Sequence, residues 1–269
     1  MQSSHENWIF GVSDFSVTEP LINAAEIIGS GLDFIEPGLA KAAALDHDDF
    51  EEAADRIQAA DIRVQSMNWF LPPALKIVGP DASHSASRRF LEKALQRADH
   101  LDANAIVLGS PASRSIPAGF AEAKARDQMI AFLNLAADLI QEAQYGLKIA
   151  VEHVNHTETN HLNTFEQAFD LVQEVDRPEI GLAADFYHFA MEDESSDIML
   201  EAVDLIHAVQ LADPDGRCFP KPGKVIPGID RFFENLNAID YQGGISVEAT
   251  VTGSLSSDCE GAAKFFEAL

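Results

Sequence analysis

Eight short apolar runs recur along the chain, each followed by a longer stretch of helical period, and that alternation leaves few architectures open. The runs are WIFGV (8–12), LDFIE (32–36), IRVQSM (62–67), AIVLG (105–109), KIAVE (148–152), IGLAAD (180–185), HAVQL (207–211) and GISVE (244–248). They are rich in Val and Ile with little polar alternation, as expected of parallel strands covered on both faces. Between them, Met129, Leu133, Ala136, Ile140 and Ala143 form one stripe within 119–145, and Phe90, Leu91, Ala94, Leu95, Ala98 and Leu101 another within 85–101. Thr18 with Pro20, and Asn163-Thr164 with Gln167 three residues after the Thr, read as helix starts. Gly146 stands where a helix ends.

Strand then helix, eight times over, predicts an α/β protein of the (β/α)8 TIM-barrel type, one domain over 1–269. The competing doubly wound sheet would carry a G-x-G-x-x-G loop after its first strand, and here that strand runs into FGVSDFS.

In such a barrel, function sits at the C-terminal ends of the strands. The fifth strand ends in Glu152 and the sixth in Asp185; the seventh offers Gln210 and Asp213, and the eighth ends in Glu248. Neighbouring strands lie under about 5 Å apart, so these groups can converge. Three carboxylates at one point repel one another unless a cation sits among them. Oxygen-only donors suit Mn²⁺, Mg²⁺ or Co²⁺ better than a structural zinc. The alternative for each residue taken singly is a solvated carboxylate or a cap on the following helix. Glu158, His188 and Arg217 follow these strands closely enough to reach the mouth from loops.

Charge and cysteine content narrow the partners. Lys and Arg number 18 against 44 Asp and Glu, a net −26, which excludes an ordinary nucleic-acid binder and disfavours an anionic membrane surface. Two cysteines, Cys218 and Cys259, are too few for a disulfide framework, and the opening MQSSHENWIFG has no basic-then-apolar leader, so a cytoplasmic location is expected. No apolar run approaches the roughly 18 residues that cross a bilayer.

The runs VEHVNHTETNHLNT, LAADFYHFAMEDE, VQLADPDGR and SVEAT resemble the xylose-isomerase-like barrels, within them the ketose 3-epimerases and hydroxypyruvate isomerases. The resemblance covers the chain in element order and is strongest over about 148–250; the Glu-x5-Glu and Asp-x2-His spacings carry much of it. It implies that Glu152, Asp185, Gln210 and Glu248 bind one divalent ion, Mn²⁺ before Mg²⁺ or Co²⁺. It further implies that Glu152 and Glu248 act as acid and base, and that Glu158, His188 and Arg217 hold substrate oxygens. Glu36, in DFIEPG, matches another acidic position common at the mouth. The partner implied is a small sugar or sugar acid, in a homodimer or homotetramer.

Two departures bear on the substrate. Most of the epimerases carry His where this chain has Gln210, whereas hydroxypyruvate isomerases resemble it in having Gln. The downstream loop, RCFPKPGKVIPG, has Lys221 and Lys224 where a Glu is usual.

The chemistry agrees with the resemblance. A metal chelating a carbonyl and an adjacent hydroxyl acidifies the C–H between them. A carboxylate removes the proton; its return from the other face epimerises, and its return to the neighbouring carbon isomerises. Loss of a β-hydroxyl instead would make a dehydratase of the inosose or dehydroshikimate type, and a sugar-binding barrel without turnover is a further alternative. Endonuclease IV shares the barrel but needs additional His at several strand ends, where this chain has SMNW and VLGS.

Other polar residues carry plainer readings. Strand alternation turns His153 away from the side that Glu152 faces, towards packing. His156 and His161 shape the loop, and His207 belongs to the barrel floor. Trp69 and Phe70 are either an apolar wall over a sugar or core. Arg114 either meets an anionic substrate group or pairs with a surface carboxylate. Arg217, Lys221 and Lys224 suggest a phosphate or carboxylate on the substrate, or else a solvated loop.

Overall fold

The computed structural model describes residues 8–13 and 20–269. The expected helix start at Thr18, the tail of FGVSDFS and the opening residues 1–7 lie outside the described residues. Among the described residues there are nine parallel strands: β1 (Ile9–Ser13), β2 (Phe34–Glu36), β3 (Arg63–Val64), β4 (Ser66–Met67), β5 (Ala105–Leu108), β6 (Lys148–Glu152), β7 (Ile180–Asp185), β8 (Ile206–Leu211) and β9 (Gly244–Val247). Their order is β3-β2-β1-β9-β8-β7-β6-β5-β4. The two ends of that order are consecutive pieces of chain: β3 pairs with β2, β4 pairs with β5, and only Gln65 separates them. One stave is therefore broken in two, and the ladder closes into an eight-stave TIM barrel.

Ten α-helices are described: α1 (Pro20–Gly29), α2 (Leu39–Ala44), α3 (His47–Ala59), α4 (His84–His100), α5 (Pro111–Arg114), α6 (Glu122–Ala143), α7 (Phe165–Val175), α8 (Phe186–Met191), α9 (Ile229–Ala238) and α10 (Leu255–Phe266). The stripes read from period pack inward: Met129, Leu133, Ala136 and Ile140 of α6 are buried, while Ala143 at its end is exposed. Thr164 caps α7 by accepting from Gln167 N–H at 3.3 Å, and Gln167 reaches back to accept from Asn163 N–H at 2.8 Å. The left-handed residue that ends α6 is Gln144 (φ 58°), two residues before the expected Gly146. No helix among the described residues is long and apolar enough to cross a membrane.

Most core residues lie between strands and helices in one large cluster. A second, separate cluster holds only Val107, Ala150, Ala183 and Ala208. Strand side chains repeat their direction every second residue. Two positions further on in the same four strands' line come Gly109, Glu152, Asp185 and Gln210. The mouth groups thus stand on a layer of small side chains. Deeper in the barrel, the Phe34 ring takes the room that side chains at Gly11 and Gly244 would need.

Candidate functional site

Glu152 closes β6, Asp185 closes β7, Gln210 lies one residue before the end of β8, and Glu248 directly follows β9. Register puts Asp185 beside Gln210, and Gln210 beside Ser246, two residues before Glu248. All four side chains are buried. In such a place an oxygen must find a donor or a cation.

Three of these oxygens have no hydrogen-bond donor: Glu152 Oε1, Asp185 Oδ2 and Gln210 Oε1. Asp185 takes the capping role that the sequence offered, with one of its two carboxylate oxygens. Its Oδ1 caps α8 by accepting from Tyr187 N–H at 2.9 Å, which leaves Oδ2 for the mouth. Gln210 donates Nε2–H to Glu36 Oε1 at 2.6 Å, and its carbonyl oxygen is left over. Glu36 also accepts from the Ser66 hydroxyl.

Glu152, Asp185 and His188 offer ligand atoms that all lie within 4.8 Å of one another. His188 Nε2 is 3.2 Å from Glu152 Oε1 and 3.5 Å from Asp185 Oδ2, aligned as a hydrogen bond to neither. Its Nδ1 accepts from the Asn155 backbone N–H at 3.2 Å, which assigns the proton of the neutral ring to Nε2. Glu248 is held from two sides: Oε1 accepts from Asn68 at 3.2 Å and Oε2 from Arg217 at 2.7 Å. Arg217 also donates to Glu158 Oε1 at 2.8 Å and lies over the Tyr187 ring, 4.4 Å from its centre.

Burial disfavours charge at this point, and the carboxylates aggravate one another. Burial and then the Glu248 charge push Glu152 well above the usual carboxylate range. Burial raises Asp185 to about 7, with His188 opposing and Glu152 adding to the rise. Burial likewise raises Glu36 to about 7, against the hydrogen bond from Ser66. Crowded carboxylates and an amide oxygen, buried without donors, form a hard-oxygen donor set of the kind that fits a divalent cation.

A cavity of about 270 Å³ opens onto Glu152 and Glu248. Its lining mixes the polar Glu152, Glu158, His188, Arg217 and Glu248 with the apolar Trp69, Leu71, Val107, Pro111 and Val154. It sits at the small end of ligand pockets, suited to a small polar molecule with one apolar side. Trp69 is 41% exposed at φ 44°, a left-handed backbone that a bulky residue seldom adopts.

The structure brings together Glu152, Asp185, Gln210, Glu248, Glu158, His188 and Arg217, as the strand ends suggested. Asp213 departs from the group: it pairs with Lys224 at 2.5 Å. Lys224 also reaches Asp215 at 3.2 Å, and Arg217 is engaged by two carboxylates, so the basic triplet is already neutralised in large part. Neither reading of Arg114 holds. It is fully buried, its Nη1 donates to the Glu152 carbonyl at 2.8 Å, and it braces β6 from behind the cavity. His153 packs against Phe165 and Phe189 as expected, while exposed His156 pairs with Glu192 at 2.6 Å. Sequence reasoning missed Ser66, Asn68 and Asn155. A polar residue at or just past the end of the third strand was the available signal for the first two.

Gly109 explains how Glu152 fits, because a Cβ there would overlap Glu152 Oε2. Gly109→Ala should therefore leave the thermal midpoint within about 2–4 °C, roughly 1 kcal/mol at this size, yet displace the carboxylate. A crystal structure of the variant should show the Glu152 carboxylate moved from its place, and an unmoved carboxylate would refute the account.

Comparison with known proteins places the chain. The family model described as xylose isomerase-like TIM barrel matches residues 24–268. The inosose isomerase of Halalkalibacterium halodurans is 34% identical over 128 residues, 43% of this chain and 44% of that one. The ketose 3-epimerase of Arthrobacter globiformis is 32% identical over 143 residues, 52% of this chain and 45% of that one. The chain thus spans less than half the length of these curated relatives in the matched stretch. The crystal structure of the 3-keto-D-glucoside 4-epimerase of E. coli shares the fold at a TM-score of 0.80, 18% identical, over 97% of this chain and 100% of that one.

Proposed function

The chain belongs to the xylose isomerase-like TIM barrel family, and on that footing we propose that it is a divalent-metal-dependent isomerase or epimerase of a small sugar. The observation that carries this reading is the set of three buried oxygens, on Glu152, Asp185 and Gln210, left without donors at adjacent strand ends, with Glu152 lining a small cavity. With Glu248 they make the ligand set, and Mn²⁺ is the ion we favour. The names of the curated relatives, inosose isomerase and ketose 3-epimerase, support the same chemistry, and no observation favours the dehydratase alternative.

A bound divalent ion supplies Lewis-acid stabilisation of negative charge on a substrate carbonyl and its neighbouring hydroxyl. Glu152 and Glu248 are the proton carriers. Glu152, at the end of β6 and lining the cavity, takes the proton from carbon and gives it back. Glu248 is aimed by Asn68 and Arg217. His188, with its proton on Nε2, donates to a substrate oxygen. Arg217 and Glu158, joined to each other, hold hydroxyls at the rim. Trp69, Leu71, Val107, Pro111 and Val154 offer apolar surface to the substrate's carbons. Because Lys224 and Arg217 are occupied by carboxylates, we place the substrate among uncharged ketoses and inososes rather than sugar phosphates.

Incubation in D₂O with a panel of ketoses, inososes and hydroxypyruvate tests the reading. Deuterium should enter carbon next to the carbonyl, chelator should abolish the exchange, and Mn²⁺ should restore it. No exchange into any of them with Mn²⁺ present would end the proposal.

A further inference from the structure

Seven of the eight staves divide into two kinds. Staves five to eight end in the oxygen donors just described. Staves one to three end in buried polar groups of another sort: Ser13, Glu36, Ser66 and Asn68. These reach across the barrel mouth. Asn68 donates to Glu248 and also to Ser13, and Glu36 accepts from both Ser66 and Gln210. Glu36 is itself fully buried and stands 174 residues from Gln210 in sequence.

An amide carries a donor and an acceptor on one planar group, so holding one end assigns the other. An ionised carboxylate only accepts, and Glu36 accepts at both oxygens, from the Ser66 hydroxyl and from the Gln210 amide. With Glu36 Oε1 at 2.6 Å, the Gln210 amide must turn its NH₂ to stave two, and its oxygen faces the mouth with no other partner. Without that acceptor the two orientations of the amide lie closer in energy, and one of them points N–H groups at the cation. A negative partner on the NH₂ also draws the amide's electrons towards oxygen, which strengthens the ligand.

We propose that Glu36 is a positioning residue that makes Gln210 a metal ligand, by fixing which end of its amide faces the ion. The proposal rests on the metal-centre reading above. It assigns to the second stave a part in cation affinity although Glu36 need not touch the ion.

The test is Mn²⁺ affinity of the chelator-stripped full chain, by calorimetry, in a double-mutant cycle. Glu36→Ala and Glu36→Met, the second keeping the bulk, should each raise Kd about 10–100-fold. Gln210→Ala should do the same. In the Gln210→Ala background, Glu36→Met should add less than about threefold, because the group it orients is gone. Glu36→Gln keeps an acceptor oxygen and should hold Kd within about threefold of the parent. An unchanged Kd in both truncations overturns the proposal, and so does a full additive loss in the double variant, since Glu36 would then act on the ion directly. A second measurement needs no variant that might fold poorly. The Gln210 side-chain amide protons of the metal-free wild type should be protected from solvent exchange by NMR; exchange at the rate of surface glutamines overturns the proposal. Failure of wild-type chain to bind Mn²⁺, with those protons still protected, would overturn the metal-centre reading while leaving the Glu36–Gln210 hydrogen bond in place.

Discussion

Glu152→Gln should lower the rate of carbon-bound proton exchange by about 10²–10⁴-fold, the usual contribution of a positioned acid–base group. The substitution keeps shape. The Arg114 bond goes to the Glu152 backbone carbonyl, and the clearance at Gly109 is unaltered. What it removes is a buried charge that burial and Glu248 both disfavour. The metal-free variant should therefore melt at the same temperature as wild type or higher. The sign with pH follows from linkage. The folded-state pKa of Glu152 lies above its unfolded value, so the native chain binds the extra proton and loses stability as pH rises beyond the unfolded carboxylate range. Glutamine cannot titrate, so the variant's advantage should be small near pH 5 and larger near pH 8. Exchange measured in D₂O and melting curves across that range check both halves. Wild-type exchange rates in the variant would remove Glu152 from the chemistry.

Arg217→Met should cost about 3–5 kcal/mol, because it leaves a buried carboxylate without its counter-charge. Arg217 is held by Glu248 at 2.7 Å and Glu158 at 2.8 Å, and its guanidinium lies over Tyr187. At this chain length such a loss lowers the melting temperature by about 6–20 °C. Arg217→Lys keeps the charge but cannot span two carboxylates with a planar fork, so it should fall between. Urea denaturation of the three proteins decides. A change below about 1 kcal/mol in the Met variant would mean that water, not the guanidinium, satisfies Glu248.

The barrel was legible because its signal is repeated: eight apolar runs, each two-sided, each followed by a helix. The third of them, IRVQSM, is broken at Gln65, and nothing in its apolar pattern marks the break. The strand-end residues from Glu152 to Glu248 were legible for the same reason, since a position at the end of a parallel strand fixes its place on the rim. The groups that orient them were not. Glu36 meets Gln210 across 174 residues and Asn68 meets Glu248 across 180, and one sequence contains no sign of such pairings. Arg114 misled because its neighbours, GSPASRSIPAG, have the composition of an exposed turn. Its burial is decided by the chain that folds over it, from Leu108 to His161.

Alanine is a poor choice for a strand by intrinsic preference, yet KIAVE, IGLAAD and HAVQL each place one two residues below an oxygen donor. Those alanines set headroom. A methyl or two more on any of them would occupy the height in which the oxygen-bearing side chains bend inward, so the convergence of those oxygens is written partly into residues that contribute none of them.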